Sequence, residues 1–239
     1  MTQSRRQLKL ALGLVLSLGF LTKGSEGFTS TQSSATKTID MGQDKLVNIY
    51  CHPAEEKVIS FGLPSADIAL ARMMAHCPSL IDGKSVLELN SELGLISATA
   101  CRHARPEHVA VTHWDSEALS MAYATCTRLQ RPKNSVSRCR MDWSLPSTWP
   151  NQKYDLVLAS NVLSDDSCIL PLTQVLQYYL APSSNNDEFR KRALIVDPID
   201  QVHRDAFRYA ADKARLDVSV SAFPGMDNFV LLDVFSKDG

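Results

Sequence analysis

Two rhythms of apolar positions alternate along the chain from about Leu63 onward. PSADIALARMMAHC places Ile68, Ala71, Met74 and Ala75 at helical spacing. LGLISATACRHA, DSEALSMAYATCTRL, PLTQVLQYYL and DQVHRDAFRYAADKARL carry the same period. Asp115 is placed to cap the third of these helices, with Glu117 in its first turn, and Pro171 suits the first turn of the fourth. Between the helices lie short strand-like runs: KSVLELN, EHVAVTH, SVSRCRM, KYDLVLASNVL and RALIVDP. Two more, DVSVSAF and NFVLLDVF, follow the last helix with only PGMDN between them.

Strands separated by single helices imply βαβ units and parallel pairing. The continuous apolar middle of the fourth strand, Leu156 to Leu158, suits a strand covered on both faces. The third strand alternates polar residues and belongs near an edge. PGMDN is a turn signal, so the last two strands form an antiparallel hairpin. The pattern therefore predicts an α/β fold, a Rossmann-like doubly wound sheet of seven strands, mostly parallel with an antiparallel last strand. The first strand, Val86 to Leu89, is expected at the centre, between the second, Val109–Val111, and the fourth, Leu156–Ala159.

The first forty residues follow another logic. Arg5, Arg6 and Lys9 flank the start of an apolar run, Leu8 to Leu21, that is too short to span a membrane comfortably. Small residues Ser25 and Gly27 follow, and then a Ser/Thr-rich, acid-free stretch from Phe28. This order predicts a targeting presequence over 1–40, a signal peptide of about 1–27 followed by a transit-like segment 28–40, and a folded domain over 41–239. It resembles the bipartite plastid presequence of algae with secondary plastids; another secretory-route compartment is the alternative. No stable membrane span is expected in the mature protein.

Composition narrows the function. With 25 basic and 26 acidic residues, the net charge of −1 excludes nucleic-acid binding through bulk charge. The six cysteines form no C-x-x-C pair and no zinc spacing, so no metal is expected and the cysteines read as small buried hydrophobes. No G-x-S-x-G elbow supports a hydrolase. The stretch Ala181 to Phe189 reads as the one long polar loop.

Ligands of doubly wound sheets sit beyond the carboxyl ends of the strands. There the chain reads VLELNSELGL, which resembles motif I of class I S-adenosylmethionine-dependent methyltransferases. LPSADIALARMM, VAVTHWDSEAL, MDW and YDLVLASNVLSDD resemble, in order and spacing, segments of the small lysine-methyltransferase family 16. The resemblance covers most of the chain, from about Leu63 to Phe235. It implies S-adenosylmethionine as cofactor and a protein side-chain amine of the lysine type as acceptor, so a protein substrate as partner. It assigns cofactor contacts to Glu88, Asn90, Gly94, His113, Asp142, Trp143 and Ser160, and the acceptor-facing position to Asn161.

The departures fall at the same edge. Family glycines are Asn90 and Glu92 here. Asn tolerates the left-handed conformation glycine would adopt. Glu92 repels the cofactor's carboxylate unless it meets the ammonium or the sulfonium instead. His113 replaces an acid that accepts from both ribose hydroxyls; a neutral imidazole has one acceptor nitrogen. Asn161 stands for an Asp, with Asp165 and Asp166 following. Weaker cofactor binding than in a motif-conforming enzyme is expected. The alternative function is a non-catalytic protein that keeps the fold as an interaction module.

Overall fold

The computed structural model describes residues 35–51, 65–129, 135–182 and 190–238. The segment 1–34, Leu63, the side chain of Cys51 and residues 183–189 of the polar loop lie outside the described residues, and with them most of the presequence reading.

Within the unit Ser34–Gly239 the described strands make two sheets. The larger is built from β3 (Ser85–Glu88), β4 (His108–His113), β5 (Ser135–Arg140), β6 (Leu156–Ser160), β7 (Arg192–Pro198), β8 (Leu216–Ala222) and β9 (Phe229–Ser236). Their order is β5-β4-β3-β6-β7-β9-β8. β3 is central as expected, with Leu87 opposite Ala110 on one side and Val157 on the other. Val157 is wholly buried, which the apolar middle of its strand requires. β5, the polar strand, lies at one edge. The last strand, β9, is antiparallel to both neighbours and inserts between β7 and β8, so β8 and not β9 forms the other edge. Strand periodicity reveals a hairpin but not which arm pairs with the older sheet.

Alternation along the strands sorts residues between two cores. On one face Val86, Val109, Val111, Leu156, Leu158, Leu194 and Val196 pack with helices α1 (Ser65–His76), α2 (Leu95–His103) and α3 (Ser116–Ala124). On the other, Leu87, Val157, Ala159, Ala193 and Ile195 pack under α4 (Ile169–Leu180) and α5 (Arg204–Lys213). Ala71, Met74 and Ala75 are fully buried, and Ile68 packs at the margin of the same core. The cysteine reading holds for Cys101 and Cys126 but not for Cys77, which is exposed beyond α1, nor for Cys139 and Cys168, which are half-buried. All five are free thiols.

A second sheet was not foreseen. β1 (Ala35–Asp40) and β2 (Leu46–Cys51) form an antiparallel hairpin with Ile39 opposite Val47. Its turn runs through Gly42, Gln43 and Asp44, all at positive φ, and is closed by the Met41 N–H on the Lys45 carbonyl at 2.7 Å. Ile39, Val47 and Ile49 enter the first core. The Met41 carbonyl meets His76 Nε2 of α1 at 2.9 Å, and the Tyr50 N–H donates to Thr125 Oγ1 at 3.1 Å. The folded unit therefore includes Ala35–Asp40, which the sequence reading places in the transit-like segment.

Candidate active site

The carboxyl ends of β4, β3, β6 and β7 stand side by side, and the loops leaving them build one crevice edge. The loop after β3 is pinned from below. The Leu89 N–H donates to Leu158 O at 2.9 Å, Ser91 N–H to Thr112 O at 2.8 Å, and Thr112 Oγ1 to Glu88 O at 2.6 Å. Asn90 turns the chain at φ 56°, the left-handed conformation for which Asn is the best substitute for Gly. Gly94 closes the loop at φ 73° and caps α2. Its absent Cβ makes room for α3: a Cβ there would lie 2.7 Å from the Ala122 carbonyl oxygen. The surviving glycine thus lets a helix pack against the loop.

Glu88 ends β3 with its carboxyl buried. Oε2 accepts the Ser97 N–H at 2.9 Å and the Ser97 hydroxyl, so it caps the first turn of α2. Burial raises its proton affinity, and the bonds from Ser97 oppose that. Ser91 Oγ, 2 % exposed, turns toward the same carboxyl and opposes the rise as Ser97 does.

His113 ends β4, nearly buried and stacked on the exposed Trp114. Its Nδ1 accepts the Asp115 backbone N–H at 2.9 Å. Burial holds its pKa below the usual value, so the ring is neutral and its proton sits on Nε2. The ring's one acceptor is taken. Asp115 is the N-cap of α3, its Oδ1 accepting from Glu117 N and Ala118 N at 2.9 and 3.0 Å.

Asp142 and Trp143 follow β5, joined to the end of β4 by Met141 N–H on the His113 carbonyl at 3.1 Å. Asp142 is exposed and its Oδ1 accepts the Ser144 N–H at 2.8 Å. Its carbonyl accepts from Trp149 Nε1 at 3.0 Å, a brace for the loop that the sequence did not disclose. Trp143 is half-buried against the second core. Asn161 leaves β6 at φ 51°, its N–H on the Val196 carbonyl at 2.9 Å. Asp165 caps the short turn Asp166–Cys168 through the Ser167 N–H at 2.9 Å.

Strand parity puts Glu88, His113 and Ser160 on the α1–α3 face of the sheet. Ser160 brings in a residue that sequence reasoning missed: its hydroxyl donates to Asp67, in the first turn of α1. Asp67 is half-buried, and desolvation, helped by Glu92 and Glu88, raises its pKa to about 7. On the opposite face Asp197, fully buried near the end of β7, stands 4.0 Å from Arg204 and has a pKa of about 7 through the same desolvation. An acid closing an apolar strand such as RALIVDP was a legible signal for Asp197; an acid in a helix's first turn reads only as a dipole partner. Among the described residues no group of acids, histidines and cysteines could hold a metal ion, and no helix is long and apolar enough to cross a membrane.

The same edge carries the Ser91 hydroxyl, His113 and two left-handed strand exits at Asn90 and Asn161. A family model described as lysine methyltransferase matches residues 67–189. No curated protein matches the chain by sequence. Among solved structures, the ribosomal protein L11 methylase of Lactobacillus delbrueckii subsp. bulgaricus superposes with TM-score 0.54 at 14% identity, covering 72% of this chain and 79% of that one. A methyltransferase of Pyrococcus furiosus gives 0.52 at 12% identity over 98% of both chains. Aeropyrum pernix fibrillarin, solved with natively bound S-adenosyl-L-methionine, gives 0.51 at 9% identity over 70% and 76%. At these identities the likeness is one of fold.

Proposed function

Because the chain belongs to the lysine methyltransferase family, we propose that it transfers a methyl group from S-adenosylmethionine to the side-chain amine of a lysine in a protein substrate. The observation that carries this reading is the family match over residues 67–189, which spans the loops at the β3, β4 and β6 ends.

Asn90, Gly94 and Ser160 would hold the cofactor's amino-acid end, His113 its ribose, and Asp142 with Trp143 its adenine. When bound, the cofactor supplies an electrophilic methyl on sulfur. The protein's part is mainly positioning. Glu88 fixes the start of α2 and so the loop above it. Asn161, at a left-handed exit beside β7, can accept a hydrogen bond from an amine and orient its lone pair. An amide cannot neutralise an ammonium, so the target must arrive as free amine or lose its proton to a neighbouring group.

For the compartment, we propose plastid entry by the secretory-type presequence, on the basic, apolar, small-residue order of its first 27 residues.

The activity is tested with cofactor labelled in the transferred methyl group and a protein extract as acceptor. Label recovered as methyl-lysine after acid hydrolysis is expected. Asn161→Asp should change turnover several-fold and leave cofactor affinity within about threefold. Label confined to nucleic acid, or recovered from protein as a methylated residue other than lysine, would contradict the lysine assignment.

A further inference from the structure

The edge beyond Asn161 carries large apolar side chains that belong to neither core. Val202, 79 % exposed between β7 and α5, is the most exposed large apolar residue among those described. Leu170, in the first turn of α4, is 62 % exposed, and Ile199, directly after β7, is 54 % exposed. Topology gathers them. β6 and β7 are parallel neighbours, and the helices that follow them, α4 and α5, pack against one another, so Leu170 and Val202 stand at adjacent helix starts. Ile199 is tied to the turn between β8 and β9, its N–H on the Asn228 carbonyl at 2.9 Å. Because β9 runs antiparallel to β7, with Pro198 opposite Phe229, that turn rises at the same edge.

The charge of this edge is one-sided. Asp166, Asp200 and Asp227 are exposed, one on each of the segments that leave β6, β7 and β8. Residues 161–170, 199–205 and 223–228 include no lysine. Their one arginine, Arg204, turns inward: its guanidinium donates to the Ile199 carbonyl at 3.1 Å and to the Pro198 carbonyl, beside the buried Asp197. His203 is half-buried, and Asp205 pairs with Arg208 at 3.9 Å. Aliphatic side chains among acids, next to the position assigned to the acceptor amine, fit a partner segment that is apolar and basic. The aliphatics bury against its apolar residues, and the acids meet cations. The same acids repel a phosphate backbone. We propose that this rim docks the substrate protein and selects a target lysine set among apolar residues, with further lysine or arginine close by. The inference deepens the lysine methyltransferase reading and rests on it for the identity of the acceptor, whereas docking is measured without transfer.

The probes are two fluorescently labelled peptides of equal length, each with one central lysine. One is flanked by leucine, isoleucine and arginine, the other by serine and glutamate. Binding to the unaltered protein is followed by fluorescence anisotropy. The basic apolar peptide should bind at least about tenfold more tightly, and lose much of that advantage at about 0.5 M salt, where exposed charges are screened. Leu170→Ser combined with Val202→Ser alters exposed positions that carry little folding risk, and should weaken binding of that peptide roughly tenfold. Asp166→Asn combined with Asp200→Asn should weaken it several-fold and flatten its salt dependence. Affinity for S-adenosylmethionine, titrated separately, should be unchanged in both double variants. Equal affinity for the two peptides, no binding of either, or an affinity that neither pair of substitutions alters would overturn the docking surface. So would self-association of the unaltered protein, seen by sedimentation and abolished by either pair, which would give the rim to a second copy of the chain. Selective docking in a protein that binds no S-adenosylmethionine at millimolar concentration would leave the surface standing and overturn the methyltransferase reading.

Discussion

At His113 one backbone hydrogen bond decides what the ring can offer. The Asp115 N–H occupies Nδ1, and burial keeps the ring neutral, so Nε2 carries the proton. A ribose hydroxyl can then accept from the ring but find no acceptor of its own there. A carboxylate at the same position could keep the Asp115 N–H on one oxygen and offer the other to the ribose. His113→Asp should therefore tighten cofactor binding by roughly tenfold, the value of one charge-assisted hydrogen bond, with the fold unchanged. Titration calorimetry measures it; weaker binding would show that Nε2–H is itself a contact the ligand needs. The identity of position 113 was legible from the chain, as was the Asp115 cap, because capping is local. The loss of the acceptor was not, since it depends on an N–H two residues further on. Asp67 was hidden for a related reason: helical spacing reports a face, but not the strand end that the helix's first turn meets.

The elements were the more readable layer. Each of the seven main-sheet strands, and each of the helices α1 to α5, lies on a stretch whose period announces it. The clearest are β6 and β7, buried throughout their middles, and β5, whose polar alternation marks an edge. The hairpin was obscured because the first strand, ATKTID, shares its Ser/Thr-rich composition with the segment before it. Its apolar positions, Ile39 with Val47 and Ile49 opposite, matter only once α1 and α2 lie beneath them. That places a limit on processing. A mature protein beginning near Phe28 keeps β1, whereas one beginning at Met41 loses it. Removal of β1 uncovers Ile39's share of the core and leaves β2 without its ladder. The cost should be at least about 2 kcal/mol, seen as a fall of roughly 4–8 °C in the melting midpoint relative to the protein starting at Phe28. Equal midpoints would mean that the hairpin is not part of the cooperative unit.

Across the whole molecule, the sequence pattern reached the architecture and stopped short of the strand order at the β8–β9 edge. Pairing of β9 with β7 is a long-range choice that no local period encodes. The departures from the family pattern, at Asn90, Glu92, His113 and Asn161, gather at the carboxyl edge while both cores remain complete. Such a distribution fits an altered site on an intact scaffold. The left-handed exit at Asn90 preserves the loop path that glycine would otherwise provide. The most direct test is calorimetric titration of the unaltered protein with S-adenosylmethionine near pH 8. The account predicts saturable binding at one site per chain, with Kd in the range of about 1–100 µM. An absence of binding at millimolar cofactor, in protein that melts cooperatively, would contradict it.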